Sequence, residues 1–150
     1  MRILVAVDGS ETSRRAGLLA IDLAARTGGE ISFMNVIPST AIRTLVRALP
    51  FATAQEFKGP LYATPHTLKE KLTRRVLEVL EELREEAERR GLRPEFIIAE
   101  GDPARKIVEE TRKGYDLLVI GYRGAWVSSL PGRVAMRVLE GSRVPVLVVK

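Results

Sequence analysis

Short apolar runs alternate with segments of helical spacing along this chain, and the alternation constrains the fold more than any other feature. Five runs rich in branched residues predict strands, and the predicted strands cover residues 2–7, 31–37, 94–100, 116–120 and 144–149. Each is separated from the next by a segment whose apolar residues recur with helical spacing. Apolar strands that alternate with helices are typical of a parallel sheet covered by helices. The sequence therefore predicts an α/β fold with helices on both faces of one sheet.

Capping residues mark where the predicted helices begin. Ser10 or Thr12 is expected to cap the first helix, because both have side-chain oxygens that accept from first-turn N–H groups. Thr67 opens a capping-box pattern before a long helix that is predicted to end at Gly91. Asp102, followed by a proline, is the predicted cap of the third helix. A fourth, short helix is predicted over residues 133–141.

Composition is that of a single globular domain. At 150 residues, of which 45% are hydrophobic and 29% charged, the chain can bury a core and is expected to form one domain, 1–150. A long connection at 38–66, interrupted by prolines, is expected after the second strand. We interpret it as a surface loop, with a lid beside a pocket as the alternative.

The lack of cysteine and the short apolar runs bear on location. With no Cys, disulfides, thiolate nucleophiles and cysteine-ligated zinc are excluded, and a reducing compartment is expected. The first apolar run, residues 3–7, is too short for a membrane span or for the core of a signal peptide. The predicted location is therefore cytoplasmic, with no membrane partner.

The formal net charge of +5 raises the question of nucleic acid as a partner. Much of the basic charge alternates with acidic residues, as in residues 81–90, which is typical of a solvated helix face. Aromatic residues make up only 5% of the chain, and no reader motif is present. Nucleic-acid binding is therefore not predicted.

A glycine-rich turn follows the fourth predicted strand. Gly121 and Gly124 come directly after the apolar run, and Gly132 precedes the last predicted helix. A strand, a glycine turn and a helix start together present backbone N–H groups to an anion, which is what a phosphate site requires. Glycine suits such a turn because it accepts positive φ and lets a ligand approach the backbone. The alternative is that these glycines only make a tight connection between strand and helix.

The chain as a whole resembles the universal stress protein family. The resemblance rests on the segments 3–10, 35–37, 101–103, 116–124 and 144–149. It implies a doubly wound open sheet of five parallel strands in the order 3-2-1-4-5, the adenine nucleotide alpha hydrolase-like fold. It also implies a homodimer joined through the last strand, Val144 to Val149, and frequent binding of ATP. The alternative for that strand is an edge covered by the chain's own loops.

The resemblance carries the family's nucleotide site onto the ends of three strands and the start of one helix. Asp8, with Ala6 and Val7, would line the adenosine pocket, and Val36 would meet the adenine through its backbone. Ile120 and the glycines of the turn would border the ribose and phosphates, followed by the start of the last helix. The candidate nucleotide-binding residues are Ala6, Val7, Asp8, Val36, Ile120, Gly121, Arg123, Gly124, Gly132, Arg133 and Val134.

The turn departs from the family's pattern in two ways. Nucleotide-binding members have nine residues between the second and third glycines, whereas Gly124 and Gly132 enclose seven. Arg133 stands where the family has a serine or threonine hydroxyl. An arginine brings bulk, five donors and permanent charge, so Arg133 either grips a phosphate or occupies the space that a phosphate needs. Trp126, within the turn, either stacks on a base or anchors the shortened loop.

These observations predict an adenine-nucleotide (ATP or AMP) binding protein of the stress response that acts by binding rather than turnover. No catalytic constellation and no metal-binding residues are predicted, because the chain has one histidine and no nucleophile elbow. Slow ATP hydrolysis is compatible with the sequence, and Mg²⁺ would arrive with the nucleotide phosphates. The alternative function is a dimer of the same fold that does not bind ATP and acts as an interaction scaffold.

Overall fold

The computed structural model describes residues 1–38, 68–122 and 132–150, and this part of the chain contains five strands and four helices. The strands are β1 (Arg2–Ala6), β2 (Glu30–Pro38), β3 (Glu95–Gly101), β4 (Leu117–Gly121) and β5 (Val146–Val149). The helices are α1 (Glu11–Thr27), α2 (Leu68–Arg89), α3 (Pro103–Thr111) and α4 (Arg133–Gly141). Nearly all of the predicted connection at 38–66, and with it the lid alternative and the Thr67 cap, lies outside the described residues.

The five strands form one parallel sheet in the order β3-β2-β1-β4-β5, as predicted. In register, Ala6 of β1 lies between Met34 of β2 and Ile120 of β4. The chain winds outward from β1 through β2 to β3 and then returns to β4 on the other side of β1. The carboxyl ends of β1 and β4 therefore lie at the point where the winding reverses, which is where ligands bind in open α/β sheets.

Helices α1 and α2 cover one face of the sheet. Ile3, Val5 and Phe33 project from the strands into this core and are fully buried. Small residues of α1 let the helix lie close to the sheet, since Ala16 and Ala20 are also fully buried. The core on this face is therefore filled by large side chains of the strands, which pack against small side chains of α1.

Helices α3 and α4 cover the other face. Leu4 and Leu118 of the sheet pack there with Ile107 of α3 and Val138 of α4. All four are buried. This cluster therefore holds the buried side of α4 against the sheet.

The outer strand β3 differs from the prediction that the strands are apolar and buried on both faces. Phe96 and Ile98 are 40% and 52% exposed. Phe96 lies beside Phe33 on the α1–α2 face, and α1 packs mainly on the central strands rather than on β3, which is the edge of the described sheet. Leu19 of α1 is 40% exposed, because the buried face of this helix is formed by residues such as Ala16, Gly17 and Ala20.

The caps of α1 and α3 follow the sequence prediction. The Ser10 hydroxyl accepts from the N–H of Ser13 at 3.1 Å, which selects Ser10 over Thr12 as the cap of α1. The Asp102 carboxylate accepts from the N–H of Arg105 at 2.9 Å at the start of α3. Each bond satisfies a donor that the first helical turn leaves unpaired.

Ion pairs join α1 to α2 on the outer surface. Arg14 bridges to Glu82 at 2.6 Å, and Arg90 bridges to Asp22 at 2.9 Å. Glu11 also binds Arg14, and this hydrogen bond holds the pKa of the Glu11 carboxyl below its usual range. These groups are solvent-exposed, so each pair is expected to contribute little to the stability of the fold.

We predict that Gly17→Ala destabilises the protein although alanine is the better helix former. A Cβ at position 17 would lie 2.5 Å from Cδ1 of Leu83, which is fully buried and cannot move aside freely. Overpacking costs about 1–3 kcal/mol, more than the ~1 kcal/mol that alanine gains in a helix. Urea denaturation should therefore show a lower free energy of unfolding.

The double variant with Leu83→Ala is the control for this steric explanation. Leu83→Ala alone leaves a cavity and should cost about 2–5 kcal/mol. Adding Gly17→Ala to it should cost much less than Gly17→Ala costs in the native protein. Additive losses would contradict the proposed clash.

Candidate functional site

Asp8 lies in the turn between β1 and α1, at the carboxyl end of the central strand. The residue is exposed, and its Oδ1 accepts from the N–H of Ser10 at 2.9 Å. Its own N–H donates to the Ser13 hydroxyl at 3.3 Å. The acidic side chain is thus held by the first turn of α1, at the edge of the sheet where the sequence predicted the adenosine pocket.

The turn itself is fixed by α2. Gly9 has φ of 82°, and a Cβ there would meet the main-chain N of Val76 at 3.0 Å, so only glycine fits without strain. Arg75 of α2 donates from Nε to the carbonyl of Gly9 at 2.9 Å. Sequence reasoning missed Arg75, because nothing in the pattern of the long helix distinguishes it from its basic neighbours.

Ala6 and Val7 belong to the core rather than to an open surface. The Val7 side chain is 1% exposed, and Ala6 is also buried. The N–H of Val7 donates to the carbonyl of Met34 at 2.8 Å, and the amide of Asn35 donates to the carbonyl of Val7 at 2.7 Å. These two residues therefore hold Asp8 in place, and their predicted contact with a ligand would have to be made alongside these bonds.

Asn35 ties the ends of β1 and β2 together, a role that the sequence analysis did not assign. Its signal was present, since it is a polar residue inside an otherwise apolar strand, directly before Val36. Val36 pairs with Ala99 of β3, and its side chain is half-buried against the α3–α4 face. The structure thus places Val36 one strand away from Asp8 at the same edge of the sheet.

Gly121 ends β4 in close contact with α1. A Cβ at this position would lie 2.7 Å from Oγ1 of Thr12 and 2.8 Å from the main-chain N of Ser13. Its φ is not among the positive glycine φ values, so the expectation of positive φ does not apply to Gly121. Glycine is required there because the first turn of α1 packs directly on the strand, while the preceding Ile120 is buried in the other face.

The start of α4 lies next to the end of β4. Gly132 donates its N–H to the carbonyl of Tyr122 at 3.0 Å, and Tyr122 donates its own N–H to the carbonyl of Val149 at 2.7 Å. Gly132 is the N-cap with φ of −58°, and no side chain forms a cap hydrogen bond there, in contrast to α1 and α3. Arg133 is exposed and Val134 half-buried in the first turn.

Three predicted features of the turn lie outside the described residues. They are Arg123, Gly124 and Trp126. The structure therefore brings together the predicted residues of β1, β2, β4 and α4 at one edge of the sheet, and the contacts of the turn itself stay a prediction.

Asp102 and Arg137 join the start of α3 to the second turn of α4. Arg137 donates from Nη1 to Oδ2 of Asp102 at 2.7 Å. This bond, together with the cap bond from Arg105, holds the pKa of the Asp102 carboxyl below its usual range. Asp102 thus stays ionised to lower pH than an ordinary aspartate.

Two searches of the described part of the chain gave negative results. Residues 1–38, 68–122 and 132–150 contain no group of three or more acidic, histidine or cysteine side chains placed to hold a metal ion. No helix in the same ranges is long and apolar enough to cross a membrane.

The strand order and the helices on both faces of the sheet define a doubly wound α/β domain, and comparison with known proteins identifies its family. The model of the universal stress protein family matches residues 1–150. Universal stress protein YxiE of Bacillus subtilis is 31% identical over 157 residues, which cover 99% of this chain and 98% of YxiE. The chain belongs to the universal stress protein family, as the sequence resemblance indicated.

Solved structures agree with this assignment. The protein MJ0577, a hypothetical protein whose biochemical function was assigned from its structure, is 28% identical with a TM-score of 0.75, covering 99% of this chain and 94% of MJ0577. A universal stress protein in complex with cAMP is 22% identical with a TM-score of 0.65, covering 100% of this chain and 96% of its own. The sheet is thus the adenine nucleotide alpha hydrolase-like fold of the family.

We predict that Gly121→Ala destabilises the protein whether or not a ligand is present. The added Cβ would meet main-chain atoms of α1, which cannot rotate away as a side chain can. The loss should be at least about 2 kcal/mol in the free energy of unfolding, measured by urea denaturation. Gly91→Ala is the control, since no atom lies within 4 Å of its Cβ and only the left-handed backbone, at about 1 kcal/mol, opposes it. Equal losses in the two variants would contradict the close packing of Gly121.

Proposed function

We propose that this protein binds an adenine nucleotide, ATP or AMP, at the carboxyl edge of β1, β2 and β4, and that binding is its regulatory activity in the stress response. The base and ribose would lie between Asp8 and Val36, and the phosphates beside the start of α4. Mg²⁺ would enter with the phosphates, because carboxylates and phosphate oxygens together suit that ion.

The observation that carries the proposal is the start of α4. Its N-cap is a glycine without a side-chain cap bond, and it lies at the end of β4, where the winding of the sheet reverses. The first-turn N–H groups and the helix dipole favour a negative charge at such a place. Serine and aspartate side chains fill this role at the starts of α1 and α3, so a phosphate is the natural partner for α4.

The family supports adenine as the base. Universal stress proteins of this fold have been solved in complex with cAMP, with dAMP and with AMP. These proteins are 22%, 19% and 22% identical to this chain, a likeness that speaks for the fold. The step from their ligands to this chain is therefore part of the proposal.

Arg133 would contact the phosphates in place of the family's hydroxyl residue. It occupies the first position of α4, its side chain is exposed, and no described residue forms an ion pair with it. Of the two alternatives that the sequence left open, we propose the first, that the guanidinium grips phosphate. Its planar donors match two phosphate oxygens at once.

Calorimetric titration of the purified protein with ATP, AMP and adenosine tests this proposal. We expect binding of the phosphorylated nucleotides, and Arg133→Gln should weaken ATP binding about tenfold, because a charge-assisted hydrogen bond is lost. Adenosine binding should stay unchanged in the same variant. Mass spectrometry of the denatured protein should also detect co-purified nucleotide.

Failure of ATP and AMP to bind would overturn the proposal and favour the interaction scaffold instead. A variant Arg133→Gln that binds ATP more tightly would show that the guanidinium occupies the phosphate space. The first outcome would reject nucleotide binding by this chain, and the second would reject the proposed role of Arg133 in gripping phosphate.

We propose binding rather than turnover because the sequence supplies no evident base or nucleophile. The chain has a single histidine and no cysteine, and the only predicted acidic side chain in the site is Asp8. Phosphate release from ATP faster than the uncatalysed rate would argue for a hydrolase.

We further propose a homodimer joined through the last strand. Within the described residues β5 pairs only with β4, which leaves its other side at the edge of the sheet. The carbonyls of Pro145 and Val149 accept from β4, so by strand alternation the polar groups of Val148 point away from it. An edge of this kind is a template for an equivalent strand of a second copy.

Val148→Pro should convert the dimer into a monomer in light scattering coupled to size exclusion. Proline removes the outward N–H and is tolerated on an edge strand, so the fold should persist by circular dichroism. Val148→Thr keeps the N–H and the β-branched shape and should remain dimeric. A wild-type monomer, or a dimer unaffected by proline, would contradict this interface.

A further inference from the structure

We infer that the Asp102–Arg137 ion pair positions the first turn of α4 for phosphate, which makes both residues positioning residues of the nucleotide site. The inference rests on the proposed function, because it assigns a purpose to a contact outside the predicted site. It concerns a bond between the N-cap of α3 and the second turn of α4, which the sequence analysis did not connect.

Geometry places the pair one helical turn below the site. Arg137 follows Arg133 by four residues, so both lie on the same side of α4. The Arg137 Nη1 atom lies 2.7 Å from Oδ2 of Asp102. Within the described residues, this pair and the Gly132–Tyr122 bond are the polar contacts that join the first two turns of α4 to other elements.

The two carboxylate oxygens of Asp102 bind different partners, so its side chain is held from two sides. Oδ1 accepts from the N–H of Arg105 and caps α3, while Oδ2 accepts from Arg137. Asp102 also follows Gly101 directly, and Gly101 pairs with Pro38 at the end of β2. Through Asp102, α4 is therefore linked to the end of β2, the strand that would meet the adenine.

The Asp102–Arg137 pair is expected to affect the placement of α4 more than the stability of the fold. Side chains of Arg137 and Asp102 are 56% and 42% exposed, so the pair adds little to the stability of the fold. Apolar contacts of Ala135 and Val138 already hold the buried side of α4. What the pair restrains is movement of the exposed side of the first turn, and phosphate contacts depend on that placement.

Electrostatics gives opposite signs for the two single variants, whereas positioning gives the same sign. Asp102→Asn removes a negative charge near the site, which by field alone would strengthen ATP binding, and Arg137→Met removes a positive charge, which would weaken it. If the pair positions the turn, both variants weaken ATP binding about three- to fivefold. Asparagine still caps α3, so Asp102→Asn leaves that helix start intact.

The experiment combines two measurements on the full-length protein. Hydrogen exchange of the ligand-free protein should show faster exchange of the amides of residues 136–138 in both variants, with unchanged rates in the rest of α4. These are the first amides of α4 that hydrogen-bond to the preceding turn. Titration should show equal loss of ATP affinity in Asp102→Asn, Arg137→Met and the double variant, with adenosine binding unchanged. Arg137→Lys should recover most of the affinity.

Arg90→Met is the matched control, since it breaks an exposed ion pair between α1 and the residue that follows α2. It should change neither the exchange of residues 136–138 nor the affinity for ATP. Unchanged exchange in the Asp102 and Arg137 variants would overturn the inference, as would tighter ATP binding by Asp102→Asn or additive losses in the double variant. Failure of the wild type to bind ATP would reject the proposed function, while hydrogen exchange would still decide whether the pair fixes the turn.

Discussion

The close packing of α1 on the end of β4 is the constraint on which the candidate site depends. Gly121 leaves no room for a side chain, so the first turn of α1 lies directly on the strand. The same turn holds Asp8 through Ser10 and Ser13, and α2 holds the turn from above through Arg75 and Gly9. The turn that carries Asp8, at the reversal of the sheet, is therefore fixed by close packing and by hydrogen bonds between side chains and main chain without a ligand.

Local patterns were enough to predict most of the fold. The caps at Ser10 and Asp102 and the order of the strands agree with expectations, because each follows from near neighbours in sequence or from the family resemblance. The exposure of Phe96 was not predictable from β3 alone. An apolar run looks the same in an edge strand and a central strand, and only the strand order separates them.

The site was predictable to a lesser extent, for a different physical reason. Sequence and resemblance indicated Asp8, Val36 and Gly132, which the structure brings to one edge. They did not reveal that Gly121 faces α1, nor that Asn35 and Arg75 secure the turn, because those contacts join residues far apart in the chain. A glycine in a sequence does not reveal whether the space left by its missing side chain is occupied by a ligand or by a helix.

The main chain of Tyr122 connects the end of β4 to two other elements. Its carbonyl receives Gly132 and its amide binds Val149, so the strand, the helix and the last strand are joined at one residue. The two ends of the segment 123–131 are therefore held by hydrogen bonds that do not involve the segment itself. A change in the length of that segment is expected to leave the pairing of β4 with β5 and the start of α4 in place.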